Sequence, residues 1–151
     1  MTRRRLLACV IPCAVLFAGE ASYRKWLDED VVYIIEPRER TAFLGLKTDE
    51  ERDKFIEQFW GRRGETFKKE HYRRIAYANA RFKTASAEGW SSDRGRIYIV
   101  HGPPDEIESH PSDGRENWLY HHIEGIGDDV MVEFVNGTQK GTLSARRPAK
   151  R

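Results

Sequence analysis

The spacing of apolar residues along this chain changes at Gly89, and that change constrains the fold more than any other feature. Before Gly89, apolar side chains recur three and four residues apart, which is the period of one helix face. After Gly89 they alternate, which is the period of a strand. Strands that follow one another without an intervening helix pair antiparallel. The sequence therefore predicts an α+β fold, with N-terminal helices, including a helical hairpin, packed on a small antiparallel β-sheet.

Local chemistry sets the starts of the predicted helices. Ser22 is a residue type that caps helices, and Pro37 fits a first helical turn because its missing N–H is not needed there. Thr48 and Glu51 form a capping box, in which each side chain accepts a hydrogen bond from the other residue's backbone N–H. The predicted helices start at Ser22 and Pro37 and span residues 49–60 and 66–82, and the last two form the hairpin.

Three strands are predicted after Gly89. They span residues 96–101, 117–122 and 130–135, and residues 142–143 are a candidate for a fourth strand at the edge. Gly102 and Pro103 end the first strand, because proline cannot donate a hydrogen bond to the ladder of a central strand.

The first 21 residues follow a different rule. Arg3, Arg4 and Arg5 precede an uncharged run over residues 6–18, and the small residues Gly19 and Ala21 come next. This order is typical of a secretory signal peptide, cut after Ala18 or Ala21. A membrane anchor is the alternative, but a helix of this run rises only about 20 Å, whereas the hydrocarbon core of a bilayer is about 30 Å thick.

Export divides the chain into a cleaved signal peptide over 1–21, one domain over 22–144 and a basic flexible tail over 145–151. Cys9 and Cys13 both lie in the signal peptide, so the mature chain contains no cysteine and no disulfide. We expect a periplasmic or secreted protein without a stable membrane span. A lipid anchor at Cys9 and an uncleaved signal anchor remain the less favoured alternatives.

The charge balance excludes one class of partner. Cleavage after Ala21 removes three arginines and Glu20, which leaves equal numbers of acidic and basic residues. A neutral domain has no general electrostatic attraction for nucleic acid. The sequence also contains no His-Glu-x-x-His and no Gly-x-Gly-x-x-Gly, so no metal or cofactor is expected.

The sequence over residues 89–99, GWSSDRGRIYI, and over 102–107, GPPDEI, resembles the GWxTD domain, a family of bacterial proteins mostly predicted to be exported. The similarity extends upstream to the 49–60 helix and downstream to Gly137. Ser92 stands where the family name has threonine, which keeps the hydroxyl. The resemblance implies a domain type and no particular reaction.

Folding alone accounts for the residue types of this motif. Gly89 and Gly95 permit backbone conformations that residues with a Cβ reach only at a cost in free energy. Ser92 and Asp93 can form hydrogen bonds with neighbouring backbone amides in a tight turn. We expect Trp90 to be buried under this turn. Arg94 or Arg96 is expected to pair with an acidic neighbour such as Asp93 or Asp105. The predicted structural set is Gly89, Trp90, Ser92, Asp93, Arg94, Gly95, Gly102, Pro103 and Asp105.

Aromatic residues on the predicted strands suggest a binding surface. Tyr98, Trp118 and Tyr120 would be exposed if the helices left one sheet face open, and would otherwise complete the core. With no recognisable catalytic set, we predict a non-catalytic module that binds an unknown protein or glycan of the cell envelope.

Two other functions stay open from the sequence. Asp93, Asp105 and Glu106 are candidate catalytic carboxylates for a hydrolase that acts on an envelope or extracellular substrate, a chemistry that needs two acids on opposite sides of one bond. Such acids are more often solvated or paired with arginine. A structural or assembly domain is the other alternative.

Overall fold

The computed structural model describes residues 14–143 and 145 of the chain. The first thirteen residues of the predicted signal peptide and residues 146–151 of the predicted tail lie outside the described residues. Within the described residues, the helices precede the strands, and the fold is α+β as predicted.

The described part of the chain contains five α-helices. They are α1 (Ala14–Lys25), α2 (Pro37–Gly45), α3 (Asp49–Arg63), α4 (Glu65–Arg81) and α5 (Asp93–His101), with a π-helical turn (Trp26–Asp30) after α1. The predicted helix start at Ser22 is wrong, because α1 begins before it. The capping box is confirmed: the Thr48 side chain accepts from the Glu51 N–H, and the Glu51 carboxylate accepts from the Thr48 N–H.

The helical hairpin is confirmed, with α3 and α4 joined through a single residue, Gly64. Gly64 has φ of 87°, a left-handed conformation that costs glycine little. Helix α3 continues to Arg63, past the predicted end at residue 60. Trp60 then packs on Tyr72, with ring centroids 5.4 Å apart.

The predicted strand over residues 96–101 is wrong, because these residues form most of α5. A short apolar run such as residues 97–100 fits a buried helix as well as a strand. The cap decides between them: the Ser92 side chain accepts a hydrogen bond from the Gly95 N–H and starts the helix. Ile97, Tyr98 and Ile99 are all buried.

The sheet contains β1 (Glu106–His110), β2 (Arg115–Ile123), β3 (Gly127–Val135) and β4 (Thr138–Lys140), in the order β1-β2-β3-β4. All neighbouring pairs are antiparallel, as predicted. β2 and β3 contain the predicted strands 117–122 and 130–135. The last strand is β4 and not residues 142–143, because Asn136 and Gly137, both with positive φ, make a tight hairpin turn after β3.

One face of the sheet forms the main core. Trp118 pairs with Val132 across β2 and β3, so both side chains lie on the same face. Helix α5 covers that face with Ile97 and Tyr98. A second apolar cluster lies among the N-terminal helices: Trp26, Leu27, Val31, Phe43, Phe59 and Trp60. None of the described helices combines the length and apolar character needed to cross a membrane.

A buried histidine ties α4 to the π-helical turn. His71 is only 4% exposed, and its Nε2 lies 2.6 Å from the Asp30 carbonyl oxygen. A carbonyl oxygen only accepts, so Nε2 carries the proton and donates. Burial lowers the pKa of His71, which keeps the ring neutral near pH 7.

We expect the free energy of unfolding to fall as the pH drops below about 6.5, the ordinary pKa of histidine. The unfolded chain takes up a proton at His71 before the folded chain does, so acid favours unfolding. Urea titrations at pH values between about 5 and 8 measure the change. Replacing His71→Gln keeps a side-chain donor without the titration and should flatten the profile; an unchanged slope would contradict this role.

Candidate functional site

The Gly-Trp motif lies where the chain passes from α4 to α5, and two glycines make this corner possible. A Cβ on Gly89 would overlap the backbone carbonyl of Ala78 in α4. A Cβ on Gly95 would overlap the carbonyl oxygen of Gly89. The corner is therefore a direct approach of one backbone to another, which no larger residue permits.

Ser92 and Asp93 fix this corner by hydrogen bonds. The Ser92 hydroxyl donates to the Gly89 carbonyl at 2.8 Å and accepts from the Gly95 N–H at 3.0 Å. The Asp93 carboxylate accepts from the backbone N–H of Gln139 at 2.9 Å. Asp93 thereby ties the start of α5 to β4.

Trp90 is half-buried, so it is less enclosed than we predicted. Its backbone N–H donates to the Asn79 side-chain oxygen at 2.8 Å, and its backbone carbonyl accepts from the Tyr33 hydroxyl at 3.2 Å. The residue lines a groove of about 140 Å³ that also contains Glu29, Asp30 and Lys25. Lys25 forms ion pairs with both of these acids, so the groove already has its own cation.

Arg94 pairs with Glu116, at 3.4 Å. Arg96 lies 3.7 Å from Asp93, which is one of the predicted pairings. Glu116 also accepts from the indole N–H of Trp118, at 2.6 Å. At the other end of α5, the Gly102 carbonyl accepts from the Tyr120 hydroxyl at 3.0 Å, and Pro103 follows it.

The candidate catalytic acids do not converge. Asp93 contacts β4, whereas Asp105 precedes β1 at the opposite edge of the sheet. Asp105 accepts from the His121 backbone N–H at 2.6 Å. The exposed His121 ring lies 3.8 Å from both Asp105 and Glu106. Only Asp105 and Glu106 are neighbours, and both lie on an open surface.

The predicted aromatic binding surface is wrong, and the alternative, that these residues complete the core, is what the structure contains. Tyr98, Trp118 and Tyr120 are 5%, 1% and 3% exposed. The reason is that residues 96–101 form a helix, α5, which covers the sheet face on which Trp118 and Tyr120 lie.

An open groove lies beside these buried rings, and sequence reasoning missed it. We call it the edge groove: a space of about 320 Å³ between the C-terminal end of α4 and strand β1. Its walls and floor are Tyr77, Arg81, Phe82, Arg94, Tyr98, Pro103, Pro104, Ile107, Ser109, Glu116 and Trp118. The only sequence signal was the isolated apolar residue Ile107 between two glutamates.

Aromatic rings give the edge groove a fixed floor. Tyr77 stacks on Tyr98, with ring centroids 4.4 Å apart and planes at 14°. Phe82 contacts both Tyr98 and Trp118, at centroid distances of 5.9 and 5.6 Å. On the open sides, Ile107 is 55% and Tyr77 39% exposed. Apolar surface is therefore available at both walls.

The edge groove contains three charged residues, Arg81, Arg94 and Glu116. Arg81 is exposed and makes no ion pair within the described residues. Arg94 is held by Glu116 and lies over the Phe82 ring, 5.7 Å from its centroid. Among the described side chains, no cluster of three or more His, Cys, Asp or Glu could hold a metal ion.

Replacing glycine by alanine at the corner and at an open position in α3 tests whether the corner requires the absence of a Cβ. We expect Gly89→Ala and Gly95→Ala each to lose about 3 kcal/mol or more of stability, or to fail to fold, because backbone must move. Gly61→Ala is the control: it lies in α3 with open space around it, and it should gain about 0.5–1 kcal/mol. Urea denaturation of the three variants measures this. Corner variants as stable as the parent would refute the close approach.

Comparison with known proteins gives one family and no individual relative. Searches of curated proteins and of solved structures gave no match. The family model of the GWxTD domain matches residues 19–144. That match spans most of the chain and includes both the corner and the sheet, and the chain therefore belongs to the GWxTD domain family.

Proposed function

We propose that this chain is an exported, non-catalytic interaction domain that binds an extended segment of a partner protein alongside β1. The observation that carries the proposal is the combination of an open sheet edge with a preformed apolar groove next to it. Domains that recognise peptides by strand addition use the same combination: backbone hydrogen bonds supply affinity and side-chain pockets supply specificity.

Strand β1 has the features of an edge that can accept another strand. It is the first strand in the sheet order, and all five of its residues are exposed. Edge strands present backbone N–H and C=O groups that have no partner in the sheet. An added strand would lie about 4.8 Å from β1. Its inward side chains would then come beside Ile107 and Ser109, inside the edge groove.

The floor of the groove favours binding because it is already ordered. Tyr98 and Trp118 are buried, and Tyr77 and Phe82 are packed against them. Little conformational entropy is therefore lost when a partner side chain covers these rings. The open edge favours a protein partner over a glycan, because a glycan has no backbone to pair with β1.

The separation of the candidate catalytic carboxylates favours a binding function over hydrolysis. Hydrolysis of a glycosidic bond by two acids requires both to flank one bond. Asp93 and Asp105 lie at opposite edges of the sheet and each holds a backbone N–H. Each of these two carboxylates therefore has a structural role at its own edge of the sheet.

Export is proposed from the order of basic, apolar and small residues over positions 1–21. The family match begins at residue 19, directly after Ala18, one of the two expected cleavage positions. Cleavage there keeps Glu20, which pairs with Arg24 and Arg52. Cleavage after Ala21 would remove these ion pairs.

We expect the chain expressed in a bacterial host to be recovered outside the cytoplasm with Gly19 or Ser22 as its first residue. Intact-mass measurement of the periplasmic and cytoplasmic fractions distinguishes the two cut sites. An unprocessed chain confined to the cytoplasm would contradict export and leave the binding proposal to its own test.

The binding proposal is tested by blocking the groove. Random heptapeptides selected on the purified chain should shift the backbone amide resonances of β1 and of residues 77–82. Ile107→Lys places a charge beside Arg81 and should weaken binding about tenfold or more. Leu44→Lys is the matched control, because Leu44 is a similarly exposed aliphatic residue that lies in α2, outside the sheet and the edge groove. Equal loss in both variants, or selected peptides that leave β1 unperturbed, would overturn the proposal.

A further inference from the structure

We infer that the segment bound at β1 alternates between basic and apolar residues, with the basic side chains opposite Glu106 and Glu108 and the apolar side chains in the edge groove. This inference rests on the proposed function and names the chemistry of its partner.

The strand register assigns the two faces of β1. Ile107 pairs with the buried Trp118, so its side chain lies on the inner face of the sheet. Glu106 pairs with Leu119 and Glu108 pairs with Asn117, so both carboxylates lie on the outer face. A strand added to β1 shares this alternation, because directly opposed residues point to the same face.

The outer face presents unbalanced negative charge at this edge. Glu108 is exposed and makes no ion pair within the described residues. Among the described residues, the exposed ring of His121 is the only potentially cationic group within 4 Å of Glu106, at 3.8 Å. The residues opposite them on β2 are uncharged. Lysine or arginine on the added strand would supply the missing partners, since opposite charges across a strand pair attract.

The inner face selects against basic residues. Arg81 lies in the edge groove without an ion pair among the described residues, and a second cation beside it would be repelled. Ile107 and Tyr77 offer apolar surface at the walls. Inward positions therefore suit aliphatic or aromatic side chains.

Prolines limit the length of the bound segment. Pro104 precedes β1, and Pro111 follows it directly. Proline has no N–H to donate, so the ladder cannot extend through these positions. The strand has five residues, and a partner segment of about five or six residues covers it.

The test uses two capped peptides of six residues, one alternating Lys and Val and the other alternating Glu and Val. Fluorescence anisotropy of labelled peptides with the purified full chain measures the two dissociation constants. Two cross-strand ion pairs predict that the Lys-Val peptide binds about threefold to thirtyfold tighter at low salt. The difference should shrink as salt is raised, because these charges are exposed.

Charge reversal supplies the decisive comparison. The Glu106→Lys/Glu108→Lys variant should prefer the Glu-Val peptide. Glu57→Lys/Glu124→Lys is the matched control, since it changes net charge equally at two exposed sites away from β1, and it should keep the preference for Lys-Val.

The outcomes separate this inference from the proposed function. Equal affinities of the parent chain for both peptides, with binding still lost in Ile107→Lys, would overturn the charge pattern and leave docking at β1 intact. Binding of neither peptide, together with no selected heptapeptide at β1, would overturn docking itself. A preference for Lys-Val that survives the reversal at Glu106 and Glu108 would also overturn the inference.

Discussion

The structure depends on the close approach of two backbones at the Gly89 corner. Gly89 lies against the carbonyl of Ala78, and Gly95 lies against the carbonyl of Gly89. These contacts set the direction in which α5 leaves α4. The Ser92 cap then starts α5 at once, so that its apolar residues lie over the sheet. The close packing of the backbone thus explains Gly89, Ser92 and Gly95. Trp90 lies next to this corner and is half-buried.

The same geometry leaves the edge groove open. Helix α5 covers the rings of Trp118 and Tyr120, while Phe82, directly after α4, contacts the Trp118 ring and Tyr77 of α4 stacks on Tyr98 of α5. Strand β1 lies beyond this cover. Its inner face, at Ile107, therefore borders a space that another strand could fill. The proposed binding surface lies at the border of the main core, and the buried rings of Tyr98 and Trp118 form its floor.

Local chemistry made much of the fold predictable from the sequence. The capping box at Thr48 and the alternation over residues 117–122 and 130–135 are local signals, because each depends only on residues close together in the sequence. Helix α5 was not predictable from its period, because four consecutive apolar residues fit both a strand and a buried helix. Strand β1 was not predicted because it contains one apolar residue, Ile107, and all five of its residues are exposed, so it lacks the alternating pattern of a half-buried strand. The edge groove depends on Tyr77 meeting Tyr98 across two helices, which no local pattern contains.

Amide hydrogen exchange of β1 tests the central claim most directly. With a selected peptide bound, the backbone amides of Glu106–His110 that point away from β2, at the open edge, should become protected, because they donate to the added strand. The amides of β4, at the other edge, should exchange at the same rate with and without peptide. Protection confined to β4 or to the helices, with β1 unchanged, would show that the partner binds elsewhere and that β1 is not the docking edge.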